Sequence, residues 1–146
     1  MRRVRVDGWF VLGNHALTKL HLNAPDDGWF PVLHDLSLCI TESNLPYVDL
    51  FFSPHLKKIY ISPSLAWSSY RAPHDILSTI TSTISALPTS ALQSLMISPM
   101  MSWAELEDAI SSVALRCGPS LVEFIPPIPL SDAAIHHLIQ LPHLHT

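Results

Sequence analysis

The sequence predicts an α/β repeat architecture, with one short parallel strand per unit on one face and a helix on the other. Three observations predict it. The spacing L-x-x-L-x-L recurs along the chain. Apolar stripes of helical period lie between the copies. A proline and then a leucine mark each passage from helix to strand. Together they describe an irregular leucine-rich-repeat solenoid, with strands on the concave face and helices on the convex face.

The first copy of the spacing is Leu17, Leu20 and Leu22, and the second is Leu33, Leu36 and Leu38. Leu56, Ile59 and Ile61 make a third copy, and Leu92, Leu95 and Ile97 a fourth. Leu121 and Phe124 open a fifth, in which Pro126 stands at the last apolar position, and Leu144 opens a sixth. The last two apolar positions of each copy alternate with polar residues, which is the period of a strand. So short a strand needs neighbours on both sides.

Helices are expected between these strands. Ile76, Ile80, Ile84 and Leu87 repeat at helical spacing from Pro73 to Leu87, with Pro73 placed to begin the helix. Trp103, Leu106, Ile110, Ala114 and Cys117 form a second stripe, opened by Ser102 and Glu105 in the form of a capping box. Ala134, Leu138 and Leu141 form a third, with Ser131 as its cap. A shorter helix is expected over Pro46–Phe52. Proline follows each helix, where its missing N–H stops further turns. On this division residues 1–16 are an N-terminal segment and 17–146 the repeat region, truncated at its C-terminus. An ordinary compact α/β domain is the alternative.

The phrases Leu50-Phe-Phe-Ser-Pro-His-Leu-Lys-Lys-Ile-Tyr-Ile61 and Ser131-Asp-Ala-Ala-Ile-His-His-Leu-Ile-Gln-Leu-Pro-His-Leu144 carry a resemblance. They resemble the repeats of fungal F-box proteins, especially those of mushroom-forming fungi. In that family an F-box bundle docks on a cullin ubiquitin ligase and the repeats recruit a substrate. The resemblance therefore implies a substrate-recognition region. It does not extend to the F-box, because only about sixteen residues precede the first expected strand. The asparagine that regular repeats place after the strand is also replaced, by Pro25, Thr41, Ser64 and Met100.

Composition narrows the function classes. The chain is 48% hydrophobic and 14% charged, too apolar for disorder. Its net charge of -4 gives no reason to expect nucleic acid. No apolar run is long enough to cross a bilayer, and no signal-peptide pattern opens the chain, so a cytoplasmic or nuclear setting is expected. Nine histidines invite a metal reading, but no Cys-x-x-Cys or His-Glu-x-x-His occurs. His143 and His145 share strand spacing, yet two ligands do not make a structural zinc site. Cys117 lies on an apolar stripe and reads as an inert buried thiol, and Cys39 as a thiol just past a strand. No metal, cofactor or catalytic residue is expected, and the four tryptophans read as core.

The outward strand positions are the candidate binding surface: Lys19, His21, Asp35, Ser37, Lys58, Tyr60, Ser94, Met96 and Glu123. Both signs of charge, an aromatic and a methionine suit a protein partner. The expectation is thus a protein-interaction module and not an enzyme, with self-association open to it through uncapped solenoid ends. Two other readings stand beside it: a truncated structural remnant, and a small enzyme of unrecognised type.

Overall fold

A computed structural model describes residues 2–6, 14–26, 29–42, 44–63, 74–98 and 103–145. Five strands form one sheet: β1 (Arg3–Val6), β2 (Asp35–Ile40), β3 (Lys58–Pro63), β4 (Ser94–Ile97) and β5 (Glu123–Ile125). They lie side by side in chain order, and every pairing is parallel. A parallel connection must cross back over the sheet, which takes about a dozen residues or more. Helical segments fill these crossovers: α1 (Asn14–Leu22), a 3₁₀ segment (Leu45–Phe51), α2 (His74–Ser85) and α3 (Glu107–Arg116), the last preceded by a 3₁₀ turn (Trp103–Leu106). Helix α4 (Asp132–Ile139) follows β5.

Strands β2 to β5 are entered in the same way, and the same turn recurs at Leu144. A turn closes with the leucine N–H donating three residues back: Leu33 to Phe30, Leu56 to Ser53, Leu92 to Thr89, Leu121 to Gly118 and Leu144 to Leu141. Pro31, Pro54, Pro119 and Pro142 occupy the second position of four of these turns. Proline favours that position because its ring presets φ. The prolines thus shape the entry to the next strand as well as ending a helix. Leu33, Leu56, Leu92 and Leu121 are completely enclosed.

The residue after each leucine then bonds to its counterpart in the preceding unit. His34 donates to the Arg2 carbonyl, Lys57 to His34, Gln93 to Lys57 and Val122 to Gln93, at 2.7–2.9 Å. His145 repeats the bond to Val122 at 2.9 Å, although no sixth strand follows among the described residues. This ladder fixes the register. One row across the sheet is Leu36, Ile59, Leu95 and Phe124, and a second is Leu38, Ile61 and Ile97. These side chains, with Phe124 half-buried, share one core with Ile76, Ile80, Ile84 and Leu87, with Leu106, Ile110, Ala114 and Cys117, and with Ala134 and Leu138. All the helical stripes therefore cover the same face of the sheet.

Adjacent units are also tied by polar contacts. Arg116 donates from α3 to the Ser85 and Leu87 carbonyls at the end of α2, where a cation suits the exposed carbonyls. Ser53 Oγ donates to the Pro31 carbonyl and Ser120 Oγ to the Leu92 carbonyl, linking one turn to another. Ser131 caps α4, its Oγ accepting from the Ala134 N–H at 3.3 Å. After β2, the Asn44 side chain satisfies backbone groups of the turn. Its Oδ1 accepts from the Thr41 N–H, and its Nδ2 donates to the Cys39 carbonyl, both at 2.8 Å.

Four sequence expectations are corrected. Leu17, Leu20 and Leu22 lie on α1, not on a strand. Their first interval is also a helical one, and the final step of two leaves Leu22 76% exposed. The edge strand is instead Arg-Val-Arg-Val at positions 3–6, a pure strand-period alternation inside the expected N-terminal segment. The segment over residues 45–51 is 3₁₀ helix, and it buries Val48 and Phe51. Helix α3 starts only at Glu107, with no side-chain cap on its first turn. Ser102 and Pro73 lie outside the described residues. Finally, β5 stops at Ile125, since Pro126 has no N–H to give the ladder.

Two stability effects follow. Leu92→Ala should cost about 2–5 kcal/mol by opening a cavity between sheet and helices. Leu22→Ala should stay within about 0.5 kcal/mol. Urea denaturation of both variants checks the assignment, and equal costs would contradict the placement of Leu22 in solvent. Asn44→Ala should lower stability by about 1 kcal/mol, because it removes the bonds that close the turn after β2.

Candidate protein-binding face

Alternation along a strand sends every second side chain away from the core. The register lines these up in two outward rows. The first is Arg3, Asp35, Lys58, Ser94 and Glu123, and the second is Arg5, Ser37, Tyr60, Met96 and Ile125. None of these side chains is buried. An all-parallel sheet normally has both faces covered. Here the described helices cover one face only, which leaves ten side chains open on the other.

The contacts within the rows are polar. Arg3 Nε lies 3.5 Å from Asp35 Oδ2 across the β1–β2 pair. Ser94 Oγ donates to Glu123 Oε2 at 2.7 Å across β4–β5. The Tyr60 hydroxyl and Ser98 Oγ are 2.8 Å apart. Lys58 stands between Asp35 and Ser94 in register. A groove of about 400 Å³ on this face is lined by side chains of both rows from β1 to β4, among them Arg5, Lys58 and Met96.

Seven of the nine expected surface residues belong to these rows: Asp35, Ser37, Lys58, Tyr60, Ser94, Met96 and Glu123. Lys19 and His21 do not. They sit in the last turn of α1 and not on a strand. His21 instead faces the 3₁₀ segment, with Nδ1 3.6 Å from Asp49 Oδ1 and its ring edge toward Tyr47. Sequence reading missed Arg3, Arg5 and Ile125. For the two arginines the signal was present in the Arg-Val-Arg-Val alternation.

The remaining chemistry-bearing groups are dispersed. Among the described residues no three His, Cys, Asp or Glu side chains gather where they could hold a metal ion. His137 Nε2 contacts the Cys117 carbonyl at 2.9 Å, while His136, His143 and His145 face solvent. Trp29 is partly exposed and donates from Nε1 to the Leu20 carbonyl, fastening the end of α1 where a core role was expected. Trp9 and Trp67 lie outside the described residues. Cys39 lies within β2, not past it, and is half-buried. No helix among the described residues is long and apolar enough to cross a membrane.

Compared with protein-family models, curated proteins and solved structures, the chain matches none.

Cys117 gives the clearest titration consequence. Burial pushes its thiol from the ordinary 9.0 up to about 11, against the opposing pull of Arg116. Between those values the unfolded chain gives up this proton and the folded chain keeps it. Stability should therefore decline as pH rises from about 9 to about 11. At pH 8, iodoacetamide should modify Cys39 well before Cys117, and Cys117 only on unfolding. Peptide mass spectrometry over time reads both sites, and equal rates would contradict the burial of Cys117.

Proposed function

We propose that this chain is part of an irregular leucine-rich-repeat solenoid and that its open strand face binds another protein. The observation that carries the reading is the pair of outward rows. They form a continuous field of charged, hydroxyl, aromatic and thioether side chains across five parallel strands, while the opposite face is filled by helices. Such a mixture is typical of surfaces that recognise proteins. The recurring turn, leucine and carbonyl ladder supports the repeat reading, because each unit repeats the same entry despite uneven spacing. The resemblance to F-box repeats extends the proposal to substrate recognition for a ubiquitin ligase, an argument by analogy.

A second reading, a structural unit that needs a neighbour for stability, is favoured by one feature. An apolar groove of about 350 Å³ runs along Phe124, Leu138, Leu141 and Leu144, and Ile135 and Ile139 beside it are exposed. Such patches favour association.

The test is affinity capture with the chain as bait, beside Lys58→Ala/Tyr60→Ala and Lys19→Ala/His21→Ala variants. Quantitative mass spectrometry should find partners lost with the first variant and kept with the second. Recovery of cullin-ligase subunits among them would support the ligase extension. Chaperones alone, equally on all baits, would reject the interaction reading in favour of the structural unit.

A further inference from the structure

We propose that the α4–β5 end of the sheet is the interface of a symmetric dimer, in which each copy seats Ile135 and Ile139 in the apolar groove of the other. This rests on the second reading above, that the groove favours association, and names the neighbour. It is independent of what the open strand face binds.

The stacking of units is unfinished at this end. Helix α3 packs between α2 and α4, whereas α4 packs against α3 alone among the described helices. Ala134 and Leu138 of α4 are buried. Ile135 and Ile139, also one helical turn apart, are exposed, Ile139 to 72%. Leu144 holds the turn position at which Leu33, Leu56, Leu92 and Leu121 are completely enclosed, yet it is only half-buried. With Phe124, Leu138 and Leu141 it lines the groove of about 350 Å³.

Three observations point to a second copy as the occupant. The patch carries a projection and a recess side by side, the two isoleucines and the groove. A two-fold axis sets the same patch on both copies, so projection meets recess twice. The patch is also free of fixed charge. Beyond Arg116 the chain has Glu123 and Asp132 and no lysine or arginine, and neither carboxylate lines the groove. Pairing it with itself therefore forces no like charges together and strands no ion in an apolar site. Finally, the His145 N–H already donates to the Val122 carbonyl at 2.9 Å. A partner strand entering beside β5 in register would meet an occupied rung, so the contact falls to side chains. The opposite end of the sheet suits the groove less well. Arg2 and Arg3 beside β2 and Lys19 on α1 are exposed there, and would lie against apolar side chains.

The experiment is sedimentation velocity on the intact chain, from micromolar to near-millimolar concentration. The wild type should pass from one chain to two and stop there. Ile139→Glu sets a carboxylate in the groove and should raise the dissociation constant about tenfold or more. Leu22→Glu makes the same kind of change on α1, at a side chain just as exposed, and should leave the constant unchanged. Thermal unfolding at low concentration should be alike for both variants and the wild type, since neither side chain is buried in the single chain. A chain that stays single at every concentration would overturn the proposal, and if it is also stable the second reading falls with it. Assemblies that grow past two would also overturn it, because they mark head-to-tail stacking. A dimer that Leu22→Glu weakens as much as Ile139→Glu would sink this interface and leave association itself standing.

Discussion

The carbonyl just ahead of each of the first four strands accepts two N–H groups from the entry to the next. Arg2 receives His34 and Asp35, His34 receives Lys57 and Lys58, Lys57 receives Gln93 and Ser94, and Gln93 receives Val122 and Glu123. A carbonyl oxygen has two lone pairs, so one atom can hold both donors. The geometry anchors the following strand at a single register. A slip of one residue would turn every side chain to the opposite face. Leu36, Ile59 and Leu95 would then meet water, and Asp35, Lys58 and Ser94 would enter the core. The open polar face and the closed apolar one are therefore two consequences of the same constraint.

The parts legible in the sequence were those where two local signals agreed. At Leu56, Ile59 and Ile61 the proline, the leucine and the strand alternation all pointed to one answer, and the same held at Leu33–Leu38 and Leu92–Ile97. The stripes Ile76–Leu87 and Leu106–Cys117 were legible because helical period and burial coincide there. The first copy was misread because the interval of three between Leu17 and Leu20 fits a helix as well as the L-x-x-L spacing, and no nearby proline separated the two readings. Arg3 to Val6 lacks a leading leucine altogether, and its strand character rests on pairing with β2, a tertiary effect. Once that strand is in place, two arginines join the outward rows. Two of the ten outward side chains thus depend on the one strand whose alternation no leucine announces.

Asn44 closes the turn after β2 with its own side-chain amide. The need to satisfy backbone groups after β2 is physical, and a polar side chain three residues past Thr41 meets it as the 3₁₀ segment begins. The connections between strands differ in length, while the entries to β2, β3, β4 and β5 remain alike. The crossovers vary, and the turn–leucine–carbonyl junction is kept.

Because the strands follow chain order and β1 does not meet β5, the sheet has no closing seam among the described residues. Within the sheet, each described strand pairs only with those next to it in the chain. Tension applied through the two ends would therefore detach strands one after another, starting at an edge, with the interior units still intact. The four-residue β1 and three-residue β5 would be the first to go. In mechanical terms the fold is a stack of links, not a knot, and its outermost links can open and close without dissolving the middle.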